Sequence, residues 1–299
     1  MGIQVHDEGR TRAAAAVAGI GAAAIDAASR GSASVRLAGV HMSYGRRPVL
    51  RGVSCDFPAG AITVVLGGSG SGKSTILKLI GGLIAASAGS IEVAGQNIVG
   101  LRESDLYVLR RRLGMMFQNG ALLDSMSVFD NLAFPLREHA GIAEKDIADR
   151  VHQSLAAVGL EDVDDLLPRE LSGGMVKRVA LARALVRQPD ILLVDEPFSG
   201  LDPLSTKLIE ALLVRINRSG HMTMIVVSHH IPSTIRMADR IVLLLPDAVI
   251  EGAPGELQHS ADARVRRFLT EETDDSDAVL ASVAEFEQGE RRPERSPHA

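Results

Sequence analysis

The chain has no tryptophan and a single cysteine, and aromatic residues make up only 3% of its 299 positions. Cys55 has no partner within the chain, which excludes a disulfide framework. With so few rings, the core has to be assembled from Leu, Val, Ile and Ala. Neither sign of charge dominates: 32 Lys and Arg face 37 Asp and Glu, a formal net charge of −5 at pH 7. That balance argues against a generic polyanion binder, so nucleic acid is not an expected partner. Long hydrophobic runs are missing too. The longest uncharged apolar run, Ala13–Ile25, is 13 residues of mainly Ala and Gly, short of the roughly 20 that a spanning helix needs. Asp7, Glu8 and Asp26 around it argue against a secretory signal. What remains is 46% hydrophobic and 23% charged, an ordinary globular composition with ample material for a core.

Composition divides the chain into three zones. Residues 1–33, rich in Ala, Gly and Ser, read as a flexible leader. Residues 34–270 alternate apolar runs with amphipathic stretches. Residues 271–299 read as an acidic tail, within which Ala278–Phe286 has the spacing of a short docking helix.

In the middle zone, Val35–Tyr44, Val49–Phe57 and Ala61–Leu66 read as strands, and so do Ile91–Ile98 and Gly114–Phe117. Helical spacing is expected over Gly72–Ile84, Glu103–Arg112, Val128–Ala140, Glu144–Val158 and Ser172–Val186. Ile191–Val194 and Met222–Val227 are unbroken apolar runs, the pattern of parallel strands buried on both faces. The helix Pro203–Ile216 joins them. The expected class is α/β, with a helical insertion between Asn119 and Ala180.

Three stretches carry chemistry. Gly67-Gly68-Ser69-Gly70-Ser71-Gly72-Lys73-Ser74 fits the phosphate-loop pattern between a strand and a helix. Its glycines let backbone N–H groups turn inward around phosphate oxygens, Lys73 brings a charge to the phosphates, and Ser74 offers a hydroxyl to Mg²⁺. The strand Ile191–Val194 runs into Asp195, within reach of that Mg²⁺, and Glu196, placed to polarise an attacking water. Leu171-Ser172-Gly173-Gly174-Met175 opens a helix bearing Lys177, Arg178, Arg183 and Arg187. A Ser hydroxyl and Gly amides at a helix start make a second anion site, which implies that two chains share a nucleotide.

In this order, together with Tyr44, Gln118, Ser199-Gly200-Leu201-Asp202 and His229, these motifs resemble the ATP-binding subunits of ABC transporters over Val35 to Thr270. The intervals from Lys73 to Gln118 and from Glu196 to His229 are similar to those of that family. Within it, Met116–Leu123, Ser127–Asn131, Pro135–His139, Met175 and Arg264–Leu269 resemble the MlaF-like ATPases. The resemblance implies a P-loop NTPase fold of the ABC type, with a mostly parallel central sheet, an antiparallel β subdomain and the helical insertion. It implies ATP and Mg²⁺ as ligands, with Gly67, Gly68, Ser69, Gly70, Ser71, Gly72, Lys73, Ser74 and Thr75 around the phosphates.

Tyr44 is then expected to stack on adenine, and Ser172, Gly173, Gly174 and Asp202 to reach a nucleotide across a dimer seam. Ser74, Asp195 and Gln118 are expected around the metal, with Glu196, His229 and Gln118 at the hydrolysed bond. The implied partners are a second copy of the chain, an MlaE-type permease that a groove at Asn119–Phe134 receives, and an MCE-domain lipid-binding protein. The implied place is the cytoplasmic face of the inner membrane, as a peripheral subunit. Two departures stand out: Met175 where many members have Gln, and His230 where an acid is common. Other cargo, a soluble ABC ATPase acting on ribosomes or DNA, and a nucleotide-binding regulator remain as alternatives.

Overall fold

A computed structural model of the chain describes residues 33–138 and 142–270. The expected leader (but for Ala33), the tail from residue 271 and the helical pattern at 139 and 140 lie outside the described residues. Strands β1 (Ala33–Tyr44), β2 (Arg47–Pro58) and β3 (Ile62–Gly67) are followed by helix α1 (Lys73–Ile80), strands β4 (Ala88–Val93) and β5 (Gln96–Asn97), helix α2 (Glu103–Arg110) and strand β6 (Leu113–Met116). Helices α3 (Val128–Arg137), α4 (Glu144–Ala157) and α5 (Gly173–Leu185) form the insertion. Then come β7 (Ile191–Asp195), α6 (Pro203–Gly220), β8 (Thr223–Val227), α7 (Ile231–Met237), β9 (Arg240–Leu244), β10 (Val249–Gly252) and α8 (Pro254–Gln258). A last helix covers residues 263–270.

The strands make two sheets. One is antiparallel, in the order β2-β1-β4-β5; the other has the order β10-β9-β3-β8-β7-β6. In the second, β9, β3, β8, β7 and β6 are parallel, and β10 closes one edge antiparallel to β9. The period of two divides its side chains between two cores. Leu192, Val194, Met224, Val226 and Leu66 pack with the helices of the insertion and α6. Ile191, Leu193, Ile225, Val227 and Val65 pack with α1 and the antiparallel sheet. Every residue of β7 and β8 is buried, so neither strand has a polar face to reveal its period.

Local chemistry moves some boundaries. The expected strand Ile91–Ile98 is two strands around a turn in which Ala94 has φ 49° and Gly95 φ 81°. Two consecutive left-handed residues twist the chain back on itself, and Val93 pairs with Gln96. The helix expected to reach Ile84 stops at Ile80 because Gly82, at φ 62°, turns the chain out. Leu83 N–H then donates to Lys78 O at 2.8 Å and Gly82 N–H to Leu79 O at 3.0 Å, closing the end in a Schellman motif. Beyond Val227 the structure adds α7, β9, β10 and α8 to the elements read from the sequence. The apolar run Ile241–Leu244 is the signal for β9. Among the described residues, no helix is long and apolar enough to cross a membrane.

Candidate active site

The parallel register puts the C-terminal ends of β3, β8, β7 and β6 side by side, and in an open α/β sheet that edge is where ligands bind. From it project the phosphate loop after β3, His229 after β8, Asp195-Glu196 at the end of β7 and Gln118 after β6.

The loop is glycine-built for steric reasons. Gly67 has φ 150°, and a Cβ there would lie 2.7 Å from both Leu244 O and Ser71 Oγ. Gly72, at φ 98°, caps α1 from the left-handed region, and its Cβ would meet Leu50 Cδ2 at 2.6 Å. No L side chain suits either position. Lys73 Nζ donates to Gly67 O at 2.7 Å and Gly68 O at 3.1 Å, so the ammonium lies across its own loop. Ser71 Oγ is buried and has no hydrogen-bond partner.

From the first turn of α1, Ser74 Oγ donates to Asp195 Oδ1, at the end of β7, at 2.9 Å. Burial pushes the Asp195 carboxyl above its ordinary range, and the Ser74 hydroxyl opposes that shift. Glu196 has φ 48°, its N–H donates to Val227 O at 2.9 Å, and His229 Nδ1 lies 2.7 Å from its Oε2. Lys177, on α5, donates to Glu196 O at 3.0 Å and to Gln118 O. Gln118 takes part through its carbonyl, and its side chain is exposed.

The remaining expected residues stand apart from this cluster. Tyr44, 47% exposed, ends β1. Ser172 caps α5, its Oγ accepting from Met175 N–H at 3.3 Å, and together with Gly173 it is exposed. Asp202 caps α6, accepting from Leu204 N–H and Ser205 N–H at 2.9 Å each. The Ser205 hydroxyl holds the Asp202 carboxyl below its usual range. A Cβ on Gly174 would approach Ser205 Oγ to 3.1 Å, so the start of α5 and that of α6 form one exposed surface. Among the described hydrogen bonds, none joins this surface to the phosphate loop of the same chain. His230 caps α7 where an acid is common, Nδ1 accepting from Ser233 N–H at 3.2 Å, and its ring tilts against Phe198 at 5.7 Å.

Known proteins are similar to the chain in sequence and fold. The ABC transporter family matches residues 50–199. The MlaF intermembrane phospholipid transport ATP-binding protein of Haemophilus influenzae is 44% identical over 77% of this chain and 88% of its own length. The chain belongs to the ABC transporter ATPases.

The Escherichia coli MlaF protein is 42% identical over 77% of this chain and 86% of its own. A Mycobacterium leprae protein named a probable ribonucleotide transport ATP-binding protein is 37% identical over 88% of this chain and 80% of its own. Among solved structures of the family, an ATP-binding cassette in a dimeric post-hydrolysis state bound to ADP and Pi has 30% identity and a TM-score of 0.68, covering 74% of this chain and 98% of that one. As a member of this family the chain binds nucleotide and hydrolyses ATP, and its sequence is close to the MlaF phospholipid transport subunits.

Lys177 is the residue of this site that motif reading missed. A lysine on a helix with three nearby arginines reads as part of a solvated face, and only the fold turns it inward.

Proposed function

We propose that the chain is the ATP-hydrolysing subunit of an envelope phospholipid transporter. It acts as a pair of identical copies beside an MlaE-type permease and an MCE-domain protein, at the cytoplasmic face of the inner membrane. The observation that carries the ATPase chemistry is the pairing of Ser74, at the start of α1, with Asp195 at the end of β7, and of Glu196 with His229 just past the ends of the neighbouring strands β7 and β8. The cargo reading is supported by the identity to the MlaF proteins.

The residues fit a phosphate chain with its metal. Ser71 Oγ is a buried hydroxyl without a partner in a loop that a Cβ on Gly67 or Gly72 would crowd, and a phosphate oxygen would satisfy it. Among the described residues, no cluster of three or more His, Cys, Asp or Glu could cage a metal alone. The oxygens of Ser74, Asp195 and Gln118 suit Mg²⁺ shared with phosphate and water. When bound, that ion neutralises charge on the β- and γ-phosphates.

Within the chain, Lys73 leaves its loop carbonyls for the phosphates, Gly67 to Thr75 wrap them with N–H groups, and Tyr44 stacks on the adenine. Glu196 accepts the proton of the attacking water, and His229 holds the carboxylate that does so. Ser172 and Gly174, which share no described hydrogen bond with their own phosphate loop, serve the nucleotide of the partner copy, with Asp202 at the same seam. The groove at Asn119–Phe134 receives the permease.

A second reading, ribonucleotide transport, draws on the name of the Mycobacterium leprae relative. Affinity purification of the tagged chain from solubilised membranes, with protein and lipid analysis, separates the two. Co-purification of a permease, an MCE-domain protein and phospholipid is the expected result. A permease that arrives with ribonucleotide-dependent ATPase stimulation and no lipid overturns the phospholipid cargo.

A further inference from the structure

Lys177 is only 6% exposed. Its ammonium is spent on two backbone carbonyls, those of Gln118 and Glu196, and burial pulls its pKa below the ordinary lysine value while Glu196 and Asp195 oppose that at a distance. Burying an ammonium is costly, and a stiff apolar side chain would fill the same space at less expense. The retained charge therefore has work to do at the two carbonyls.

Both carbonyls belong to segments that the site requires. Glu196 is held in the left-handed region, at φ 48°, by attachments to two different bodies: its N–H to Val227 of β8 and its C=O to Lys177 of α5. An L residue in that region relaxes unless its surroundings over-determine it. The loop after Gln118 is fastened to the same helix. Arg183 donates to Gly120 O and Ala121 O at 2.8 Å each, and a Cβ on Gly120 would meet Val176 Cγ1 at 3.0 Å. The loop is therefore braced on α5. Lys177 lies one turn along that helix from Gly173, whose end of α5 faces outward.

We infer that Lys177 is a positioning residue that ties the exposed start of α5 to the backbone of Glu196 and Gln118. Contact of a partner copy's nucleotide with Ser172–Gly174 would then be felt at the chain's own hydrolytic site. This rests on the reading of Glu196 as the base at a seam between two copies. The described hydrogen bonds of Lys177 Nζ both go to backbone carbonyls, so it acts through Glu196 and Gln118.

The test compares the full chain with Lys177→Met, which removes the donors at similar size, and Lys177→Arg, which keeps them. ATP affinity, kcat, KM, the Hill coefficient in ATP and Tm are measured for each. Lys177→Met is expected to keep ATP affinity and KM, to lose kcat on the order of a hundredfold and to lose cooperativity between copies, with Lys177→Arg recovering most of both. Wild-type kcat and cooperativity in Lys177→Met overturn the inference. So does a loss of affinity and kcat in step with Tm, the mark of a purely structural lysine.

Should Lys177→Met not fold, Lys177→Gln against Lys177→Arg decides: a higher kcat for Arg at equal KM supports the inference, and equal kcat overturns it. Failure of the underlying reading appears separately, as a Glu196→Gln variant that hydrolyses ATP at the wild-type rate.

Discussion

Glu196 and His229 meet across the ends of two adjacent strands, Oε2 to Nδ1 at 2.7 Å. The carboxylate side chain is 11% exposed and the imidazole 61%, so a sheltered acceptor is gripped by a ring that itself faces outward. Replacing Glu196 with Gln keeps the shape and removes the basic oxygen. Turnover is expected to fall about 10²- to 10⁴-fold while ATP affinity persists, and ATP-bound dimer should accumulate on size-exclusion chromatography. Unchanged turnover rejects Glu196 as the base.

Lys73 and Ser172 should fail in different ways. Lys73→Ala removes the charge that now bridges Gly67 O and Gly68 O, and the Kd for ATP should rise roughly 10- to 100-fold. Ser172→Ala removes the cap of α5, at a cost of about 1 kcal/mol in stability. Its own affinity for ATP is expected to stay, with hydrolysis lost. Isothermal titration beside a turnover assay separates the two; weakened ATP binding in Ser172→Ala contradicts the assignment of that serine to the partner's nucleotide.

His230 gives the fold a pH dependence. Burial, with Arg236 and His229 nearby, holds its pKa below the ordinary histidine value, and as the neutral ring it accepts from Ser233 N–H. The folded state therefore binds a proton less readily than the unfolded chain. The cap's contribution is complete above the unfolded pKa of about 6.5 and is lost as pH falls through the depressed folded value. His230→Asn keeps an acceptor that does not titrate in this range, so its Tm should decline less than wild type on acidification. Parallel Tm curves for the two proteins refute this.

Asn131 anchors the segment proposed to receive the permease. It is 1% exposed, takes Leu123 N–H on Oδ1 at 2.8 Å, and gives Nδ2 to Leu123 O, Met126 O and Ser127 O at 3.0–3.1 Å. Asn131→Ala takes the side-chain partner from Leu123 N–H and Met126 O, while Leu123 O and Ser127 O keep Met126 N–H and Asn131 N–H, and should cost about 1–3 kcal/mol, read by urea unfolding. ATP affinity at the phosphate loop should not move, and stimulation by the permease should fall. Wild-type stimulation in a folded Asn131→Ala protein removes the groove from the account.

How much of this could be read from the residues depends on what each signal obeys. The phosphate loop was legible because Gly67 and Gly72 hold conformations that side chains forbid, so the chemistry dictates the letters. β7 and β8 were legible as apolar runs because both faces are covered. The turn at Ala94-Gly95 was hidden, since alanine carries no mark of a left-handed conformation. The φ of Glu196 is equally silent, being imposed by Val227 and Lys177 rather than by its own preference. Lys177 was illegible for a related reason: three-dimensional packing, and no local pattern, decides whether a helical lysine faces water or a carbonyl. Ser172 and Asp202 read locally as helix caps, which they are, and their proposed service to a second copy lies outside anything one chain's fold can express.

Hydrolysis is proposed to need two copies, because among the described hydrogen bonds none joins Ser172–Gly174 to the phosphate loop of the same chain. ATPase rate followed over a dilution series, beside sedimentation to count monomer and dimer, tests it most directly. The rate per chain is expected to fall with the dimer fraction, so that the total rate approaches second order in protein at the dilute end. A rate per chain that stays constant where only monomer sediments contradicts it.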